Sequence, residues 1–205
     1  MTKVPVTALA TGFIVFLAVW GVVLVAQLAL HKVRFGRIVM PRVATTAAVV
    51  GYACLGLAVV LLPLPGPHTR HLAQGVQLEP FNWLADVQRR LHGSLLDAVT
   101  TPAFEQMALN VVLFVPLGIF ARLLWRRGFV GTVALGFACS LFIELTQLTA
   151  NWGTAPFQYR IFDVDDLITN TTGAALGWIA GAVFVAWRAS VRRPEAERVH
   201  LTEAR

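Results

Sequence analysis

The chain has 205 residues, of which 57% are apolar and 14% charged, and its mean hydropathy is +0.67. Soluble domains run near roughly 45–50% apolar and about 25% charged, and a chain this short has too much surface per volume to hide such an excess from water. That argues against a soluble enzyme, a DNA-binding module and a disordered tail, and leaves lipid as the solvent. The net charge of +6 and pI near 10.3 then point to basic cytoplasmic loops rather than to nucleic acid.

Crossing a hydrocarbon core about 30 Å thick takes roughly 20 residues of helix, and five stretches supply it: Val6–Leu30, Val43–Leu62, Met107–Trp125, Gly128–Ala150 and Leu167–Trp187. The expected fold is all-α, a polytopic membrane helix bundle forming a single integral membrane domain over residues 1–205. The first run is too long for a signal peptide and has only Lys3 ahead of it. Cys54 and Cys139 each lie inside a span and read as small packing residues.

The one long connection, residues 63–106, begins Pro63-Leu64-Pro65-Gly66-Pro67, which cannot continue a helix. Within it Leu84, Val87, Leu91 and Leu95 recur at helical spacing, predicting a short amphipathic helix over Phe81–Asp97 that lies on the membrane surface. Phe81 and Trp83 suit the interface. His68 and His71 are three apart, but two histidines do not make a metal site, and no zinc spacing, phosphate-binding loop or nucleophile–base set is present.

Basic residues set the orientation. Lys32, Arg34, Arg37 and Arg42 follow the first span, and Arg122, Arg126 and Arg127 close the third. Arg188, Arg192, Arg193, Arg198 and Arg205 follow the fifth. Five spans put these on one side only if the N-terminus is outside, residues 63–106 form an extracytoplasmic loop, and residues 188–205 form a cytoplasmic tail. In that tail the arginines alternate with Glu195, Glu197 and Glu203, as at a solvated end. The protein is expected in the cell membrane as a multi-pass chain.

An ionisable residue in a span costs a few kcal/mol and normally faces protein or a water-filled cavity. Glu144 is such a residue, with Gln147 one turn on. Asp166, Asn170, Gly173, Gly177 and Gly181 form one stripe at intervals of four, three, four and four. The glycines of that stripe, Gly173, Gly177 and Gly181, let another helix approach closely. Asn110 opens the third span, and Arg160 and Asp163 precede the fifth. The topology carries Asn110, Glu144, Gln147, Arg160, Asp163, Asp166 and Asn170 to the outer side, as one candidate polar pocket.

The blocks Asn110-Val111-Val112-Leu113-Phe114-Val115-Pro116-Leu117-Gly118, Glu144-Leu145-Thr146-Gln147, and Arg160 with Asp163, Asp166, Asn170, Gly173 and Gly177 resemble the VanZ-like family, over roughly residues 105 to 187 as its core. That family is named for a bacterial teicoplanin-resistance protein. The resemblance implies a bacterial integral membrane protein with a role in glycopeptide resistance or the cell envelope, and brings no chemical mechanism with it.

Three readings of the pocket stand at this point. In the first, the polar residues tie the bundle together, with Arg160 pairing an aspartate or Glu144. In the second, they hold a membrane lipid, a lipid-linked cell-wall precursor or a glycopeptide. In the third, Glu144 works with Asp163 or Asp166 as an acid/base pair, or the aspartates hold Mg²⁺ or Ca²⁺. A coupled transporter is thinner, since there is one acid in the spans and no inverted repeat. The balance leans away from an enzyme, with no cofactor called for and no nucleic-acid partner. Nothing sets an oligomeric state.

Overall fold

The computed structural model describes residues 6–62, 64–66, 69, 71–90 and 98–203, with side chains through Val191 apart from that of Arg90. Pro63, Pro67, His68, Arg70, Leu91, Leu95 and Asp97 therefore lie outside the described residues, as do Lys3 and Arg205. The described helices are α1 (Val6–Phe35), α2 (Met40–Leu61), α3 (Asn82–Arg90), α4 (Pro102–Leu123), α5 (Phe129–Leu148) and α6 (Val164–Glu203). Five of them, all but α3, are long and apolar enough to cross a membrane. A minimal strand pair, β1 (Val76–Gln77) and β2 (Phe162–Asp163), is the only sheet among these residues.

Local chemistry explains where the helix limits depart from the apolar runs. Thr101 caps α4 by accepting the N–H of Phe104 at 3.3 Å, and Pro102 occupies the first turn. There its missing N–H costs nothing and its fixed φ suits the helix. The helix therefore starts before the apolar run at Met107. α2 likewise starts ahead of Val43, with Pro41 in its first turn. α6 continues through the expected tail to Glu203. Of the helix expected over Phe81–Asp97 the described part is Asn82–Arg90, with Val87 buried and Leu84 exposed.

The chain forms two compact units, one from Met1–Gln77 with Leu145–Phe162, the other from Leu78–Glu144 with Asp163–Arg205. In the first, α1 and α2 form an antiparallel pair. A Cβ on Gly12 would come within 2.7 Å of the Ala58 Cβ, so the glycine sets how close they lie. The segment Ala150–Gly153 then makes a left-handed turn, with φ of 52°, 54° and 58° at Ala150, Asn151 and Trp152. Asn tolerates that region, whereas Ala and Trp enter it at about 1–2 kcal/mol each. The turn is tied by Asn151 to the Tyr159 hydroxyl at 2.8 Å and by Trp152 Nε1 to Thr146 Oγ1 at 3.0 Å.

In the second unit α4 packs along α6. A Cβ on Gly173 would run into the Val111 carbonyl oxygen, one on Gly177 into that of Val115, and one on Gly118 into that of Ala174. Gly181 meets the Arg122 side chain. α3 lies on α4, with Trp83 edge-on to Phe104 at 6.5 Å between ring centroids.

Candidate functional site

The polar residues of the second unit converge on the start of α6. Asp163 precedes its first residue, and its Oδ1 accepts the N–H of Asp165 at 2.9 Å, which satisfies a donor that a helix N-terminus otherwise leaves bare. The backbone N–H of Asp163 itself donates to Glu144 Oε2 at 2.9 Å. Glu144 is 1% exposed. Burial pushes the Asp163 carboxyl above its ordinary value; the Asp165 N–H pulls it back, and the neighbouring Asp165 charge adds to the rise.

Asp165, also buried, points its carboxylate at the N-terminus of α3. It accepts the N–H of Phe81 at 2.5 Å and of Trp83 at 3.2 Å. Phe81 sits at φ 64°, a turn that feeds both N–H groups to one carboxylate. The positive end of the helix dipole favours that charge. Asp166 Oδ1 accepts from Asn110 Nδ2 at 2.6 Å and from Gln106 Nε2 at 3.3 Å, both on α4. The carbonyl of Asp166 accepts from Ser140 Oγ at 3.3 Å, and Asn170 Nδ2 donates to the same hydroxyl at 2.9 Å. Asn170 Oδ1 is buried with no partner.

These elements enclose a cleft of about 80 Å³ lined by Asn82, Trp83, Asp86, Ala103, Gln106, Met107, Asp163, Asp165, Asp166 and Thr169. Among the described residues that line it four are aspartates and none is Lys, Arg or His. Among the described residues the one ion pair is Arg89 with Asp86 on α3, at 3.2 Å. No three His, Cys, Asp or Glu side chains among them converge to hold a metal ion, since Asp165 is turned to backbone N–H groups.

Of the seven residues expected in one pocket, Asp163 and Asp166 line this cleft. Asn110 and Glu144 are each one hydrogen bond away from it, and Asn170 reaches the Asp166 carbonyl through Ser140. Gln147 and Arg160 belong to the first unit. There they cap the C-terminus of α2, whose last carbonyls have no partner within the helix. Arg160 donates to the carbonyls of Val59 at 3.5 Å and Leu62 at 3.3 Å. Gln147 donates to that of Val60 at 3.1 Å, and Tyr159 to that of Leu61 at 2.8 Å. Of the pair His68 and His71, His71 is described, its ring against Phe157 at 4.2 Å between centroids and tilted by 36°.

Sequence reasoning passed over Asn82, Asp86, Gln106 and Thr169, and took Asp165 only as one of three neighbouring aspartates able to hold a cation. Gln106 was within reach, one turn before Asn110 on the same face of α4. The α3 residues were not, because nothing in the sequence says where that helix docks.

The VanZ/LLP1 family profile matches residues 49–185. The chain belongs to the VanZ/LLP1 family. The matched stretch takes in most of α2, the long connection and the spanning part of α6. It contains every described residue of the acidic cleft and the partners that cap the C-terminus of α2 in this VanZ/LLP1 protein, while α1 lies outside it. With five apolar helices, this family member is a multi-pass membrane protein. No curated protein and no solved structure matches the chain.

Proposed function

We propose that this VanZ/LLP1 protein is an envelope-associated binding protein whose acidic cleft holds the hydrogen-bond-donating part of an envelope ligand. The observation that carries the reading is a cleft lined by Asp86, Asp163, Asp165 and Asp166, with no basic residue among its described walls. Such a site repels phosphate and suits an ammonium group or the hydroxyls of a sugar. Trp83 adds an apolar face. A lipid-linked precursor or a glycopeptide antibiotic offers such groups, and the family's association with teicoplanin resistance supports that choice. Catalysis is disfavoured by the position of Glu144, which is buried and absent from the cleft wall, out of a substrate's reach.

A second reading has its own observation. Asp163, Asp165, Asp166 and Glu144 each accept a hydrogen bond from protein, so the cluster also serves to hold α3, α4, α5 and α6 together. One experiment separates the two. Purified protein is incubated with labelled lipid-linked precursor or with teicoplanin, and retention and turnover are both followed. Stoichiometric retention without turnover is the expected result, with Asp166→Asn and Asp163→Asn weakening it roughly tenfold or more, the worth of one charge-assisted hydrogen bond. Turnover would mark an enzyme. Unchanged retention by both folded variants, or none by the wild type, leaves the structural role alone.

A further inference from the structure

A second cavity, of about 430 Å³, lies between α1 and α2, in residues 23–46 and so wholly outside the stretch matched to the family. Its α1 wall is one helical stripe. Val23, Ala26 and Leu30 form the apolar length, and Gln27, His31 and Arg34 alternate with them toward the helix end. From Val23 to Arg34 the rise is roughly 16 Å, close to the depth of one leaflet of hydrocarbon.

The basic end of this groove is built. Two guanidiniums lie against the Phe35 ring, that of Arg42 at 4.6 Å and that of Arg34 at 5.8 Å from its centroid. His31 is 5% exposed and packs edge-on to the same ring. Its Nδ1 accepts the N–H of Val39, the residue that caps α2 without any side-chain cap of its own. Gln27 donates to Thr46 across the groove at 3.1 Å, and its buried Oε1 has no partner.

Nothing in this unit neutralises these charges. The first acidic residue of the chain is Glu79, and residues 145–162 contain none, so all eleven Asp and Glu belong to the other unit. Among the described residues neither Arg34 nor Arg42 makes an ion pair. Two cations held on one ring, above an apolar groove one leaflet deep, call for an anionic amphiphile.

We propose that the groove between α1 and α2 binds an anionic phospholipid, its phosphate between Arg34 and Arg42 and an acyl chain along Val23, Ala26 and Leu30. The full chain, purified in mild detergent, is assayed for lipid retained by native mass spectrometry and for unfolding temperature. The additions are phosphatidylglycerol, phosphatidylcholine or inorganic phosphate. Phosphatidylglycerol should be retained and protective, and the other two should not. The double substitution Arg34→Gln/Arg42→Gln should weaken phosphatidylglycerol roughly thirtyfold, the combined effect of two basic residues near a membrane surface. Arg37→Gln removes an exposed charge of the same loop outside the groove and should change little. Ala26→Trp fills the groove with every charge kept, and should lose the lipid too. It decides the matter if the double variant does not fold. Equal protection by inorganic phosphate would show an anion site without a lipid. An equal loss in Arg37→Gln would show diffuse attraction, and unchanged retention in the folded double variant or in Ala26→Trp would remove the groove. Each of these overturns the proposal.

Discussion

Glu144 illustrates how one buried side chain is kept affordable. A polar group taken out of water costs several kcal/mol unless a partner meets it, and here the N–H of Asp163 does so at 2.9 Å. The same bond fixes where α6 begins, and Asp163 in turn receives the N–H of Asp165. Carboxylates and backbone donors therefore alternate from α5 to the N-terminus of α3, each holding the next in place. Glu144→Ala would strand the Asp163 donor and should cost about 1–3 kcal/mol. Glu144→Gln keeps a carbonyl in the same place and should stay near wild type. Unfolding temperatures in detergent check the pair, and equal losses would show that the charge of Glu144, rather than its acceptor, matters. Glu144 was legible from sequence because a carboxylate in an apolar run stands out. Its partner was not, because a backbone N–H carries no sequence signature.

At the scale of the element, lipid removes the hydrophobic incentive for helices to pair, so close packing has to hold them. α4 and α6 meet where Gly118, Gly173 and Gly177 let backbone touch backbone. Gly177→Ala places a Cβ against the Val115 carbonyl and the Gly118 Cα, and parting the helices should cost about 1–3 kcal/mol. Gly21, in the middle of α1, meets nothing within 4 Å. Gly21→Ala should instead gain roughly 0.5–1 kcal/mol by removing glycine's penalty in a helix. Thermal unfolding of the two proteins should move in opposite directions, and a common direction would mean that the glycine contact does not hold α4 to α6. The spacing of four between Gly173, Gly177 and Gly181 marked one face from sequence alone. It did not name α4 as the neighbour, or show that the third glycine meets an arginine side chain rather than backbone.

For the whole molecule, charge is sorted as strictly as hydropathy. One unit carries no acidic residue, while the other carries all eleven. The bias of basic residues predicts that the loop between α1 and α2 is cytoplasmic and the connection before α3 is outside. In a Cys54→Ala/Cys139→Ala background, Leu78→Cys, at a position 65% exposed, should label in intact cells. Arg37→Cys should label only after permeabilisation, and the reverse pattern would invert the topology. By itself the sequence determined that the chain is a set of membrane helices, which residues break the apolar runs, and which family it joins. Lipid imposes a length and a composition on every span, and both are written locally. Only the tertiary structure decided what those polar residues do. Gln147 and Arg160 close the end of α2 from about a hundred residues away, α3 brings Asn82 and Asp86 to three aspartates, and Glu144 stands behind the cleft rather than in it. Hydrogen bonds made to backbone groups far along the chain depend on how the helices pack, and helical spacing records only which residues share a face.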